Sequence, residues 1–286
     1  MPRSTHSRSN ENAMSLAAME APVSRVRILS AQSAAIVSAE LIGMRCSTCP
    51  MCDLCLPSDM NGVARARLDG MKFTRRKVAT GQTVYCEGER FHSVHAVRAG
   101  TLKSSLALSG GREQVSGFHI AGDLVGLDGV ANGYHASATM ALEDTELCAI
   151  RYAHLSDLAV GTRGMQHIIS RLMSREILRV HSRMMLLGSM NAEERLATFL
   201  LNLSQRYAMR GYSKREFHLR MSRAEIGSYL GMKVETVSRT FSTLQQRRLL
   251  EVDKRHIRIT DLAGLARRLE GRDCRGERKS GARQFS

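Results

Sequence analysis

The sequence predicts an α+β chain with an N-terminal antiparallel β domain, a long helix, and a C-terminal helix-turn-helix ending in a hairpin. Three observations carry this. Short β-rich runs punctuated by glycine occupy residues 73–152. One apolar stripe at helical spacing runs from Met165 to Leu187. A pair of short helices joined at Gly231 then precedes a segment that alternates apolar and polar residues.

The β runs are Thr83–Cys86, Val94–Val97, Thr101–Leu108 and Gln114–Ile120, separated by Gly88, Gly100, Gly110-Gly111 and Gly122-Asp123. Short strands at intervals of roughly 8–12 residues, parted by turn signals, form a sandwich or roll. Met165, Ile169, Met173, Ile177, Val180, Met184 and Leu187 then recur every three or four residues and draw a single stripe along a helix of about six turns. Such a stripe packs either within its own chain or against a second copy. Its near-heptad period and its place between two domains point to the seam of a parallel homodimer.

A helix over Ala192 to Tyr207 opens on the capping pattern Asn191-x-x-Glu194, and Ser222 with Glu225 repeats that pattern for the next helix. There Ala224, Ile226 and Leu230 are expected to face inward, Gly231 permits the turn, and Val234, Val237 and Phe241 line the following helix. Glu235, Ser238 and Arg239 stand at i, i+3 and i+4, so they share one face. They match a major groove, since arginine donates a fork to guanine, a carboxylate accepts from cytosine and a hydroxyl serves either. An exposed salt bridge on a helix would use the same residues. The helix-turn-helix before them and the hairpin over Leu249–Thr260, turning at Asp253-Lys254-Arg255, favour the reading face.

Charge points the same way. Residues 161–286 carry 26 basic and 12 acidic side chains, whereas residues 46–160 carry 11 and 12. An excess confined to one half suits a polyanionic partner there. No apolar run reaches the roughly 18 residues of a membrane span, and no secretory signal opens the chain, so a cytoplasmic protein without a membrane partner is expected. No Ser-His-Asp, phosphate-loop or H-E-x-x-H pattern suggests an enzyme.

Of seven cysteines, Cys46, Cys49, Cys52 and Cys55 stand three apart, an arrangement that lets neighbouring thiolates share a metal or cluster. Four closed ligands would suit a structural zinc. An iron–sulfur cube also takes four, one of which is often remote. Cys86 and Cys148 lie within β-rich runs, where a cysteine is more often a small core residue, and Cys274 lies in the basic tail.

R-A-E-I-G-S-Y-L-G followed by V-E-T-V-S-R resembles the recognition unit of the CRP/FNR transcription regulators. The likeness extends to N-A-E-E-R-L-A, to G-F-H-I-A-G-D-L-V-G and to the cysteine run, which places it on the FNR branch. The resemblance implies a β-roll of the cyclic-nucleotide-binding type, a long dimerisation helix and a winged helix-turn-helix. It implies DNA contact by Glu235, Ser238 and Arg239, and an oxygen-labile [4Fe–4S] cluster on Cys46, Cys49, Cys55 and Cys148. Double-stranded DNA carrying an inverted repeat and RNA polymerase are the partners it implies. Two departures stand out. Cys52 occupies a position where the family usually has no cysteine, and Lys233 replaces a usual Ser or Thr cap. The stretches L-V-G-L-D-G and Y-H-A-S-A lack the arginine that would pair a cyclic nucleotide's phosphate, so no cyclic nucleotide is expected. A zinc-stabilised regulator of another signal and an iron–sulfur electron-transfer module are the competing functions.

The expected division is a disordered extension over 1–45, the cysteine loop and roll over 46–160, the long helix over 161–190, the DNA-binding domain over 191–265 and a disordered basic tail over 266–286.

Overall fold

The computed structural model describes residues 45–49, 52–55, 62–70, 73–160 and 163–270. The expected disorder of residues 1–44 and the tail position Cys274 lie outside the described residues.

A turn of 3-10 helix over Cys46–Thr48, α1 (Cys52–Cys55) and α2 (Gly62–Asp69) lead into the sheet domain. Eight strands follow: β1 (Thr74–Val78), β2 (Thr83–Tyr85), β3 (Ser93–Ala99), β4 (Thr101–Leu108), β5 (Arg112–Ile120), β6 (Leu124–Val125), β7 (Ala138–Ala141) and β8 (Thr145–Arg151). They form two antiparallel four-stranded sheets, ordered β1-β8-β3-β6 and β2-β7-β4-β5. Val78, Val84, Val97, Leu102, Val125, Ala141 and Leu147 fill the space between them. The alternation of β8 decides what faces where. Thr145 and Leu147 turn inward and are buried, which leaves Glu146 and Cys148 on the outer face.

Helices α3 (Tyr152–Val160) and α4 (Arg163–Ser189) leave the roll. The expected stripe on α4 divides its work. Ile169 packs near the cysteines and Leu187 against the C-terminal domain, whereas Ile177, Val180 and Met184 are 55%, 52% and 65% exposed. Intrachain packing therefore takes the two ends of the stripe and leaves its middle bare.

The C-terminal domain comprises α5 (Ala192–Ala208), β9 (Glu216–His218), α6 (Arg223–Leu230), α7 (Val234–Gln246), β10 (Leu250–Asp253), β11 (His256–Ile259) and α8 (Leu262–Glu270). Both predicted capping boxes form, at Asn191 with Glu194 and at Ser222 with Glu225. The hairpin turns at Lys254, which takes a positive φ of 52°, and β9 adds a third strand that the alternation did not show. Expectations about this domain are corrected at Ala224 and at the tail. Ala224 is exposed rather than inward. Residues 266–270 belong to α8, whose Leu265 is fully buried, because the helix lays an apolar stripe on the core beside α5.

Roll and C-terminal domain share one apolar cluster. Phe118 of β5 meets Phe199 of α5 and Tyr229 of α6, with ring centroids 6.0 and 5.2 Å away. Around it the Val115 amide donates to Ser228 Oγ at 2.8 Å, Lys103 pairs with Glu225 at 3.1 Å, and Arg183 of α4 donates to the carbonyls of Val115 and Ser116.

Candidate functional site

Two groups of side chains outside the core carry chemistry. The first is the face of α7. Gly231 caps α6 in the left-handed region at φ 63°, and a Cβ on Gly227 would stand 2.6 Å from the Met232 carbonyl oxygen. Only glycine lets the two helices approach so closely at this turn. Val237, Phe241 and Leu244 anchor α7 in the core, and the Arg223 guanidinium lies 3.5 Å from the Phe241 ring centroid. Glu235, Ser238 and Arg239 are thereby held together on the exposed side. The Ser238 hydroxyl donates to the Val234 carbonyl oxygen at 3.1 Å, leaving its lone pairs facing out. Val234 was expected on the apolar face but is 41% exposed at the first turn. Lys233 precedes the helix with no side-chain cap, as the departure from the Ser/Thr pattern implies.

The second group is the thiols. Cys46, Cys49, Cys52 and Cys55 gather around Leu155 of α3 and Ile168 and Leu172 of α4. Cys148, on the outer face of β8, lies within electrostatic reach of Cys46, Cys49 and Cys55. Burial, then the neighbouring thiols, push Cys46 and Cys55 up to about 12. Burial and Cys49 push Cys148 up to about 11, against the pull of Arg98 and Arg75. Those two arginines flank Cys148 and share Glu146, at 3.6 and 3.4 Å, and Arg98 Nη1 stands 4.0 Å from Cys49 Sγ. Cys52 is 7% exposed and belongs to the same cluster. Among the described residues no group of three His, Cys, Asp or Glu side chains has the geometry that grips a single metal ion. Cys86, expected in the core, follows the end of β2 and is exposed.

Beside the apolar core, the roll holds a polar network around Asp128. Asp128 accepts from the Ala136 and Ser137 amides at 3.0 Å each and from Ser137 Oγ at 2.8 Å, and lies 3.2 Å from His135 Nδ1. His135 in turn stacks on Tyr85 at 3.7 Å. The carboxylate is thus committed to its own loop, in keeping with a structural role. His95 and His119 are buried, and burial pushes them down to about 3 and about 4.

Residues 194–268 match the Crp-like helix-turn-helix domain, and residues 75–160 match the cyclic nucleotide-binding domain. The chain is 43% identical over 229 residues to the transcriptional regulatory protein btr of Bordetella pertussis, covering 80% of this chain and 95% of that one. It is 40% identical over 223 residues to the fumarate and nitrate reduction regulatory protein of Escherichia coli, covering 78% and 89%. This chain is an FNR-type member of the CRP/FNR family.

Among solved structures, FixK2 from Bradyrhizobium japonicum superposes with a TM-score of 0.63 at 32% identity, covering 68% of this chain and 96% of that one. The CRP/FNR proteins are transcription regulators with a DNA-binding helix-turn-helix, not enzymes, and this chain is a regulator of that kind. Among the described residues no helix is long and apolar enough to cross a membrane. One part of the CRP/FNR motif G-F-H-I-A-G-D-L-V-G has a role that the sequence did not reveal. Its Asp123 is 3% exposed and meets Arg179 of α4, Arg206 of α5 and Arg210 in the turn after α5. Burial pushes this carboxyl up, but Arg206 and Arg179 outweigh it and hold the group below the usual range.

Proposed function

We propose that this FNR-type chain is an oxygen- or redox-responsive transcription regulator that binds inverted-repeat DNA as a homodimer under anaerobic conditions. In this reading Cys46, Cys49, Cys55 and Cys148 hold a [4Fe–4S] cluster. The observation that carries it is the meeting of the N-terminal thiols with Cys148, which is distant in sequence and lies on an outer strand face between two arginines.

The donor set fits such a group. Buried neighbouring thiols, whose thiolates would repel one another, are costly to ionise without a cation among them. A cube takes one thiolate at each of four corners, which suits thiols drawn from the N-terminal segment and from a distant strand. When bound, the cluster supplies cationic corners for four thiolates and a core that oxygen degrades.

The chain's own residues do the rest. Thiolates at Cys46, Cys49 and Cys55 tie the N-terminal segment to Cys148 and hold it against Leu155, Ile168 and Leu172, at the start of α4. Arg75 and Arg98 offset the added negative charge. Ile177, Val180 and Met184 supply the seam with a second copy. A pair of α7 helices about 34 Å apart then enters successive major grooves, where Glu235, Ser238 and Arg239 read base edges. RNA polymerase is the partner that a promoter-bound dimer addresses. No cyclic nucleotide takes part in this reading, because Asp128 is already committed to its own loop and the stretches L-V-G-L-D-G and Y-H-A-S-A hold no arginine to pair a phosphate.

Anoxic purification with iron, sulfide and zinc analysis tests the reading. About four irons per protomer, with visible absorption lost on exposure to air, is the expected result. Stoichiometric zinc without iron would overturn it. The burial of Cys52 favours a second ligand set, the four clustered cysteines without Cys148, and the cysteine variants described below separate the two.

A further inference from the structure

The turn from Ile120 to Asp123 joins three parts of the molecule. It is fixed to β3, because the Val97 amide donates to the Asp123 carbonyl oxygen at 2.9 Å and the Gly122 amide donates to the Val97 carbonyl oxygen at 2.8 Å. Within the turn the Ile120 amide donates to Asp123 Oδ2 at 2.8 Å. The next residue of β3 is Arg98, which lies against Cys49.

The cysteine segment presses on this turn. A Cβ on Gly122 would stand 2.5 Å from Leu54 Cβ, so Leu54 of α1, next to Cys55, lies directly on the glycine. The DNA-binding domain reaches the same place. The same Cβ would stand 3.4 Å from Arg210 Nη2. Arg210 donates through Nε to the Ala121 carbonyl oxygen and through Nη2 to Asp123 Oδ1 at 3.2 Å. Arg206, in the last turn of α5, donates to Asp123 Oδ2 and to the Phe118 carbonyl oxygen. Arg179 of α4 reaches the same carboxylate at 2.9 Å.

We propose that Gly122 and Asp123 form an intrachain joint through which the state of the cysteine segment sets the placement of the DNA-binding domain in the same protomer, with Asp123 as its positioning residue. The inference rests on the cluster reading above and adds to it a route that does not pass through the dimer seam. Leu54, from the segment that the bound group would hold, and Arg210, which follows α5, both border the space that a side chain on Gly122 would take. A shift of Leu54 is therefore felt by Arg210 directly, with no side chain at residue 122 between them. The three guanidiniums around one buried carboxylate keep the joint two-sided, since moving the turn moves α5 and α4 with it.

Asp123→Asn removes the charge and keeps the shape. Full-length dimer purified without oxygen should retain its iron, and sedimentation should show an unchanged dimer. The ratio of DNA affinities between the iron-loaded and the air-exposed protein should fall from tens-fold to within about twofold. Arg210→Gln should act in the same direction, while Arg210→Lys, which keeps the charge, should preserve most of the ratio. These two also stand in should Asp123→Asn fail to fold. Intact iron, an intact dimer and a wild-type ratio in Asp123→Asn and Arg210→Gln would overturn the joint. A wild-type protein that holds no iron would instead overturn the cluster reading. In that case the joint is decided by hydrogen exchange over residues 118–124 and 206–212 of the chain as purified. Faster exchange in Asp123→Asn supports it, and unchanged protection defeats it.

Discussion

The reading face of α7 and the thiol cluster are both assembled by one chain, yet they differ in what each still requires. Glu235, Ser238 and Arg239 come from one helix whose opposite face is locked into the core, so their spacing is set before any partner arrives. The thiols come from a short N-terminal segment and a distant strand, and in the bare chain burial and their own proximity keep them from ionising. A site within one rigid element is preorganised. A site spread over two elements stores its geometry in whatever binds there, and can therefore report on that binding.

The most severe way to break this contrast is at the thiols. Cys46, Cys49, Cys55 or Cys148 changed singly to Ser should abolish iron binding, whereas Cys52→Ser should largely spare it. Iron analysis of anoxic protein reads the result. Normal iron in Cys148→Ser together with loss in Cys52→Ser would assign the site to the segment alone and make it as local as the reading face.

Next in size is the seam. Val180 lies mid-stripe and 52% exposed. Val180→Asp would set like charges face to face across a parallel pair, a juxtaposition that costs several kcal/mol. Sedimentation should show protomers, and an unchanged dimer would place the seam elsewhere.

Acid should then separate the two domains. His95 and His119 stay neutral in the fold, pushed by burial down to about 3 and about 4. The unfolded chain takes up protons below about 6.5, so stability falls as the pH drops from there towards the folded values. For His119 alone the loss by pH 4 is about 3 kcal/mol. Denaturant midpoints followed by probes in each domain should show the roll weakening first. A roll no less stable at pH 4.5 than at pH 7 would contradict the burial of these rings.

At the reading face, Arg239→Ala should lose about 1–3 kcal/mol per half-site, concentrated at one G·C pair. Gel-shift titration against matched and mutated half-sites, such as the TTGAT suggested by the FNR resemblance, makes the comparison. Equal weakening on specific and random DNA would remove the arginine from base reading. Arg247 would make a poor phosphate-contact control, since it is engaged by Glu193 of α5. The smallest effect belongs to Lys233. Lys233→Ser supplies the missing cap and should raise the stability of the DNA-binding domain by about 0.5–1 kcal/mol, read as a higher denaturation midpoint.

The same contrast explains what was legible in the sequence. Patterns local to one element could be read closely. The capping boxes at Asn191 and Ser222, the turn at Gly231, the hairpin at Lys254 and the span of α4 all follow from residues within a few positions of one another. Contacts between distant segments left little trace. Nothing in the order of residues pairs β1 with β8 or β2 with β7, and Asp123 gave no hint of three arginines. Cys86 read as buried because a β-rich run surrounds it, but the strand ends one residue earlier. Ala224 fits an apolar face by type while standing on the exposed side. The short α8 was hidden because its arginines suggested a tail, although Leu262, Leu265 and Leu269 meet the core.

The bare middle of α4 has a consequence for the life of the protein in a cell. Ile177, Leu178, Val180, Met184 and Met185 together expose a patch of large apolar side chains on a lone protomer. Surfaces of that kind are what chaperones and proteases seize, and what drives aggregation at high concentration. A protomer that loses its partner would thus be more than inactive, because it would be exposed to quality control. Its abundance would then fall along with its pairing, so that shut-off by dissociation is made lasting by turnover.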